Sequence, residues 1–205
     1  MTILVDMDDT IECLLKAWVG LLNERYGRGV STEDVTQWDV TKAYPGLTKE
    51  QVYGVLNEAG FWGRVDPMPG AAEALRRFIA EGHEVYIVTA TAYESVPEKM
   101  RDLLFRWFPF IGWDNVIIAA RKQMIRADVL IDDAVHNLEG GQYARILVDA
   151  PYNRAYDAAA GGMTRVYSWK EIEREIDRIA AEKDAARTER QERPKRCRRT
   201  KRKDG

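Results

Sequence analysis

The chain has 205 residues, 31 of them Lys or Arg and 33 Asp or Glu, for a formal charge of −2. That length supports one substantial core with a small accessory unit, and the two cysteines, Cys13 and Cys197, are too few for a disulfide framework or a zinc site. No stretch approaches a membrane span, and the start is not a basic leader followed by a long apolar run, so the expectation is a cytoplasmic protein without a membrane partner.

The first element, Met1 to Val5, is an aliphatic, β-branched run that reads as a buried strand. It empties into Asp6-Met7-Asp8-Asp9-Thr10, with three carboxylates inside four residues. Such crowding calls for a cation, and carboxylate oxygens suit a hard ion such as Mg²⁺. Strand-like runs recur at 85–88, 116–118, 129–131 and 146–148, with helix-like segments at 71–81 and 96–108. Runs apolar on both faces that alternate with helices predict a parallel sheet covered on two sides, with its site at the strands' carboxyl ends. There stand Asp6, Thr89, Asp132, Asp133 and Asp149.

Residues 13–66 interrupt this alternation with helix-like stretches at 14–26 and 49–59. They read as a helical cap over the catalytic edge, or as helices that only cover the sheet's flank. Asp66-Pro67-Met68-Pro69-Gly70 marks the return to the core. The expected division is therefore a core of residues 1–12 and 67–186 with a cap of residues 13–66. A last helix is expected over 169–186, its Ile172, Ile176 and Ile179 stripe either packing on the core or forming a dimer seam, so monomer and homodimer both stay open. From Lys183 onward there are eleven Lys and Arg against four Asp and Glu; this segment carries +7 and residues 1–182 the remaining −9. Residues 187–205 read as a disordered, solvated tail, with nucleic-acid contact as the alternative.

Thr89 offers a neutral hydroxyl, and Ala90 a backbone N–H, to a phosphoryl oxygen. Lys122 offers an ammonium, and Asp132-Asp133 a second carboxylate pair to complete a metal cage. The order of these features, beginning with Asp6-Met7-Asp8-Asp9-Thr10, resembles the haloacid dehalogenase-like (HAD) phosphohydrolases. Asp66-Pro67-Met68-Pro69-Gly70-Ala71, Tyr86-Ile87-Val88-Thr89-Ala90, Lys122, Ala127-Asp128-Val129-Leu130-Ile131-Asp132-Asp133 and Pro151-Tyr152-Asn153 extend the resemblance to the 5'(3')-deoxyribonucleotidase family, over roughly residues 1–170. The resemblance implies an α/β fold, a HAD-like Rossmannoid three-layer α/β/α core with a parallel sheet and a small helical cap inserted after the first strand. It also implies a Mg²⁺-dependent phosphomonoesterase acting on deoxynucleoside monophosphates. Asp6 would be the nucleophile that becomes an aspartyl-phosphate, and Asp8 the acid and base. Asp6, the Asp8 backbone carbonyl and Asp133 would hold Mg²⁺, with Asp132 behind them; Thr89, Ala90 and Lys122 would hold the phosphoryl oxygens.

Three departures stand out: Asp9 where the family commonly has Gly, Ala90 where Ser is common, and Arg121 where an acidic residue is familiar. Asp9 reads as a solvated carboxylate. Base-stacking candidates are Phe61, Trp62 and Trp38; Trp62 reads equally as packing, and Trp38 more as packing than as a contact. His83 and His136 read as bystanders. Two other readings stay open, a phosphatase on nucleic-acid ends guided by the tail, and a non-catalytic binding module on the same scaffold. The second is disfavoured because every chemical group of the site is present.

Overall fold

A computed structural model of the chain describes residues 1–192. Six strands form one parallel sheet: β1 (Thr2–Val5), β2 (Glu84–Thr89), β3 (Val116–Ile118), β4 (Val129–Asp132), β5 (Ala144–Val148) and β6 (Thr164–Val166). Their order is β3-β2-β1-β4-β5-β6, so β1 lies centrally between β2 and β4, with Val5 level with Ile87 on one side and Ile131 on the other. The chain moves outward from β1 through β2 to β3 and then returns to β1's other side as β4. This is the switch point at which ligands of open parallel sheets bind.

Alternation along the strands explains the two covered faces. Ile3, Val5, Val85, Ile87, Val129 and Ile131 point into one apolar cluster, and Leu4, Val88, Leu130 and Leu147 into a second. The first face is covered by α3 (Ala71–Ala80) through Ala74, Leu75 and Phe78, and by α7 (Trp169–Glu192) through Trp169, Ile172, Ile176 and Ile179. The stripe on α7 thus packs on the core. The opposite face carries only a single-turn helix, α6 (Val135–Leu138), and turns bearing Tyr143, Ala158 and Met163.

Between β1 and α3 the chain is helical. It contains α1 (Leu14–Tyr26), ended by Gly27 in the left-handed conformation, α2 (Lys49–Tyr53), and several 3-10 turns. The helix expected over 49–59 stops at Tyr53 and continues as a 3-10 turn, Gly54–Asn57, where glycine weakens the α-helix. This insert contacts the core through Arg154, which pairs with Glu33 and, at 2.8 Å, with Asp149.

After β2, α4 (Val96–Glu98) passes into a π-helical stretch, Lys99–Leu104, and then into α5 (Phe105–Trp107). The sequence pattern predicts this span as one plain helix. The short β6 is not anticipated, since three residues carry too little periodicity. The last helix, expected to end near residue 186, runs on to Glu192, because Glu182 to Glu192 are helix formers apart from Asp184 and Thr188. Most of the basic tail lies outside the described residues. No helix among the described residues is long and apolar enough to cross a membrane.

Gly70, at φ +86°, lets the chain enter α3, and an added Cβ would stand 3.2 Å from Trp169 Cβ. Trp169 in turn donates from Nε1 to the Thr10 carbonyl at 2.9 Å, so this packing also supports the loop after β1. Gly70→Ala is expected to destabilise the fold by about 1–3 kcal/mol, combining left-handed strain with displaced packing, and to lower the urea midpoint accordingly.

Candidate active site

Parallel pairing carries four of the predicted residues to one edge. Asp6 follows β1 and donates its N–H to the Ile131 carbonyl at 2.9 Å; Thr89 ends β2, Asp132 ends β4, and Asp133 follows it. Asp6, Asp132 and Asp133 are buried, and each offers a carboxylate oxygen within 4.8 Å of the others. Lys122, in the turn Lys122–Met124 after β3, is 1 % exposed; its Nζ bonds Asp6 Oδ1 and, at 2.7 Å, Asp132 Oδ2.

The three carboxylates differ in what surrounds them. Asp132 is saturated: Oδ1 accepts from the Ala134 N–H at 2.8 Å, and Asn137 Nδ2 reaches both oxygens at 3.1 Å. Asp133 has no ion-pair partner among the described residues and accepts only from the Tyr152 hydroxyl. Burial, then the neighbouring Asp132 carboxylate, pushes Asp6 up to about 7 against the pull of Lys122. The same causes, burial first and then Asp132 and Asp6, push Asp133 well above the usual carboxylate range. One lysine is too little cation for this much buried negative charge. A hard divalent ion on Asp6 and Asp133 would fit the donor set, with the saturated Asp132 behind them.

Asp8 stands on the other side of Asp6. Its side chain is 29 % exposed, and the fully buried Lys99 donates to Oδ1 at 2.6 Å and Oδ2 at 2.7 Å. Burial raises the Asp8 carboxyl, but Lys99 and a hydrogen bond with Glu12 outweigh it and hold it below its ordinary range. Glu12, beside Asp8, is 0 % exposed; burial, then Asp8, raises its carboxyl well above the usual range. Lys99 also reaches Thr89 Oγ1 at 3.3 Å and lies 4.6 Å from the centre of the Trp62 ring. Ala90 is exposed next to Thr89, with only its backbone to offer a ligand.

Sequence reading assigns Lys99 and Glu12 no role. Lys99 was signposted: with Val96, Met100 and Leu103 it occupies the apolar stripe of its helix, where an unpaired ammonium does not belong.

Asp9 is not the solvated carboxylate the sequence suggests. It lies at φ +52°, accepts from the Leu15 N–H at 2.9 Å to tie down the start of α1, and stands 3.3 Å from the Tyr152 hydroxyl. Burial pushes it up to about 7.

The aromatic candidates separate. Phe61 and Trp62 are 1 % and 4 % exposed and packed edge to face, with Lys99 over the Trp62 ring, so neither presents an open face for a base. Trp38, expected to pack, is instead 57 % exposed, and its ring meets Tyr152 and His136 edge-on at 5.3 and 5.1 Å. It lines a cleft of about 510 Å³, open solvent included, whose walls are Leu14, Leu15, Trp18, Val40, Tyr53 and Tyr152 and whose floor is Asp8, Asp9 and Asp133. His136 is thus at the cleft's rim, whereas His83 lies at the opposite sheet edge, 3.3 Å from the Met1 amine.

The sequence model of the family described as "5' nucleotidase, deoxy (Pyrimidine), cytosolic type C protein" matches residues 1–183. The chain belongs to this family. It is accordingly a phosphoric monoester hydrolase. A 5'(3')-deoxyribonucleotidase of Bacillus subtilis is 33 % identical over 175 residues, 85 % of this chain and 97 % of that protein. One from Clostridium acetobutylicum is 32 % identical over 154 residues, 75 % of this chain and 84 % of that protein. Solved structures share the fold at lower identity. A HAD family hydrolase from Deinococcus radiodurans with bound phosphate and sodium has a TM-score of 0.57 at 16 % identity, covering 87 % of this chain and 96 % of its own. A HAD hydrolase from Entamoeba histolytica has a TM-score of 0.53 at 13 % identity, covering 87 % and 99 %.

The Asp9 environment yields a test of this deoxyribonucleotidase-family site. A carboxyl raised from 3.8 to about 7 binds more protons folded than unfolded, so its contribution to stability is full below pH 4 and is lost as pH rises towards 7. Asp9→Asn keeps an acceptor for Leu15 and suits the left-handed backbone. It is expected to leave the melting temperature unchanged at pH 4 and to raise it by several degrees at pH 8 in metal-free protein, checked by calorimetry.

Proposed function

We propose that this phosphatase hydrolyses nucleoside monophosphates, deoxynucleotides above all, to nucleoside and phosphate through an aspartyl-phosphate on Asp6, with Mg²⁺ as its cofactor. The observation that carries the reading is the placing of buried Asp6, Asp133 and Lys122 at the floor of one edge, beside a cleft walled by aromatic and aliphatic side chains. The substrate named for the curated relatives agrees with it.

In this reading Asp6, the Asp8 backbone carbonyl and Asp133 would hold Mg²⁺, whose charge would offset that of the ester as a carboxylate approaches it. Thr89, the Ala90 N–H and Lys122 hold the phosphoryl oxygens. An Asp6 oxygen bonds to phosphorus while the bond from phosphorus to the sugar oxygen breaks, and Asp8 gives that oxygen its proton. Lys99 holds the Asp8 carboxyl below its ordinary range in the free site; a phosphate dianion beside it opposes that pull, and Asp8 takes from solvent the proton that it delivers. Asp8 then removes a proton from the water that attacks phosphorus, releasing phosphate and restoring Asp6. The helical residues 13–66 act as a cap: Leu14, Leu15, Trp18, Trp38, Val40 and Tyr53 close the cleft over the leaving nucleoside. Trp38 is the base contact. Phe61 and Trp62 take part by packing the cap against the core.

The alternative of a phosphatase on nucleic-acid ends rests on the basic residues beyond Glu192 and has no support from the site.

The expected result with purified protein is Mg²⁺-dependent phosphate release from deoxynucleoside monophosphates, lowered at least 1,000-fold by Asp6→Asn and abolished by chelation. Release from aryl phosphate with no nucleotide turnover would overturn the substrate assignment. Trp38→Ala should raise KM for nucleotides by about 5- to 100-fold, in line with ~1–3 kcal/mol of stacking, and leave KM for a base-free sugar phosphate within twofold.

A further inference from the structure

We infer that Lys99 is a positioning residue that fixes the Asp8 carboxylate for proton transfer to the leaving oxygen, and that it is held in place by the helical insert. The inference rests on the phosphatase reading above, in which Asp8 is the acid and base.

Four observations converge on Lys99. It is 0 % exposed, and its ammonium, which has three N–H donors, is fully committed: to Asp8 Oδ1 at 2.6 Å, Asp8 Oδ2 at 2.7 Å and Thr89 Oγ1 at 3.3 Å. No donor is left over for a substrate, and Lys99 is absent from the walls of the cleft. Both Asp8 oxygens are gripped by one atom, which fixes the carboxylate plane of a side chain that is otherwise partly open to the cleft.

The backbone under Lys99 is unusual as well. The π-helical stretch Lys99–Leu104 begins at this residue, and π-turns are rare and concentrated at functional positions. The wider turn lets Lys99 face the site while Met100, Leu103 and Leu104 stay buried in the core.

The same segment is where the insert docks. Glu98 Oε1 accepts from the N–H groups of Gly60 at 2.8 Å and Trp62 at 3.2 Å. Arg106 donates to the Gly63 carbonyl at 3.2 Å, and Trp107 Nε1 to the Val65 carbonyl at 3.2 Å. These bonds place the Trp62 ring against the Lys99 ammonium, with 4.6 Å from Nζ to the ring centre. Lys99 is thereby fixed between a ring of the insert and the carboxylate of the core, and Asp8 is correctly aimed only with the insert docked.

A residue that acts by aiming the acid should matter in proportion to how badly the leaving group needs a proton. The experiment compares kcat/KM for a deoxynucleoside 5'-monophosphate, a simple alkyl phosphate and p-nitrophenyl phosphate in wild type, Lys99→Met, Lys99→Arg, Asp8→Asn and Asp8→Asn/Lys99→Met. Lys99→Met is expected to lose about 30- to 100-fold on the nucleotide and alkyl phosphate but under fivefold on p-nitrophenyl phosphate, whose leaving group departs unprotonated. Lys99→Arg should recover part of the loss. In the Asp8→Asn background, single-turnover rates on the nucleotide should fall less than threefold further when Lys99 is also replaced.

Equal losses on all three substrates, or a full multiplicative loss in the Asp8→Asn background, would overturn the inference. A rise in KM alone would overturn it too, by making Lys99 a phosphate contact. The double variant removes both partners of the ion pair, and Lys99→Arg retains the charge, so a poorly folded Lys99→Met leaves the test intact. Wild-type turnover of alkyl and aryl phosphates without nucleotide turnover would end the nucleotidase reading, while the alkyl-to-aryl ratio would still judge Lys99.

Discussion

Negative charge concentrated at the carboxyl ends of β1 and β4 is the constraint around which the rest of the molecule is arranged. Asp6, Asp132 and Asp133 are buried together, Asp8 and Asp9 adjoin them, and two buried lysines answer them. Unpaired carboxylates in such a setting would tend to stay protonated or pull the strand ends apart. The protein responds by giving each carboxylate a different environment. Asp132 is saturated by neutral donors and Lys122, Asp8 is tied to Lys99, and Asp9 is bound to a helix start. The Asp133 carboxylate alone is left with a single hydroxyl, and Asp6 with a shared lysine, an unevenness that a divalent ion would correct.

The supporting structure follows from this arrangement. A central parallel strand flanked on both sides brings distant residues to one edge without requiring long loops, and the thickly covered face holds that edge rigid through α3 and α7. The insert shares this apolar cluster through Leu15, Val19, Leu22, Val55 and Val65, and polar contacts around Glu98, Arg106 and Arg154 add to it. One continuous core therefore supports both the acidic edge and the helical residues that wall the cleft beside it.

Much of this was legible in the sequence. Apolar runs that stop at or just before Asp6, Thr89 and Asp132 place these residues at strand ends, and Leu14–Tyr26 carries its own stop at Gly27. What escaped depends on approach in three dimensions. Lys99 meets Asp8 across 91 residues and Tyr152 meets Asp133 across 19, and no local pattern encodes either meeting. The π-turn is set by the need to aim one buried side chain while keeping its neighbours packed, which propensity does not describe. Stacking and packing stayed equal for Trp62, and Trp38 read as packing, because composition cannot say which face of an insert turns inward; Trp62 is buried and Trp38 exposed.

The C-terminal helix has a mechanical consequence. Its packing residues end at Ile179, and Lys183, paired with Asp128, is the last side chain to touch the body among the described residues. The nine residues 184–192 project onward as helix, about 14 Å at 1.5 Å per residue. This stretch is held straight by its own backbone hydrogen bonds and not by packing, so it is a lever arm whose fulcrum is the Lys183–Asp128 pair.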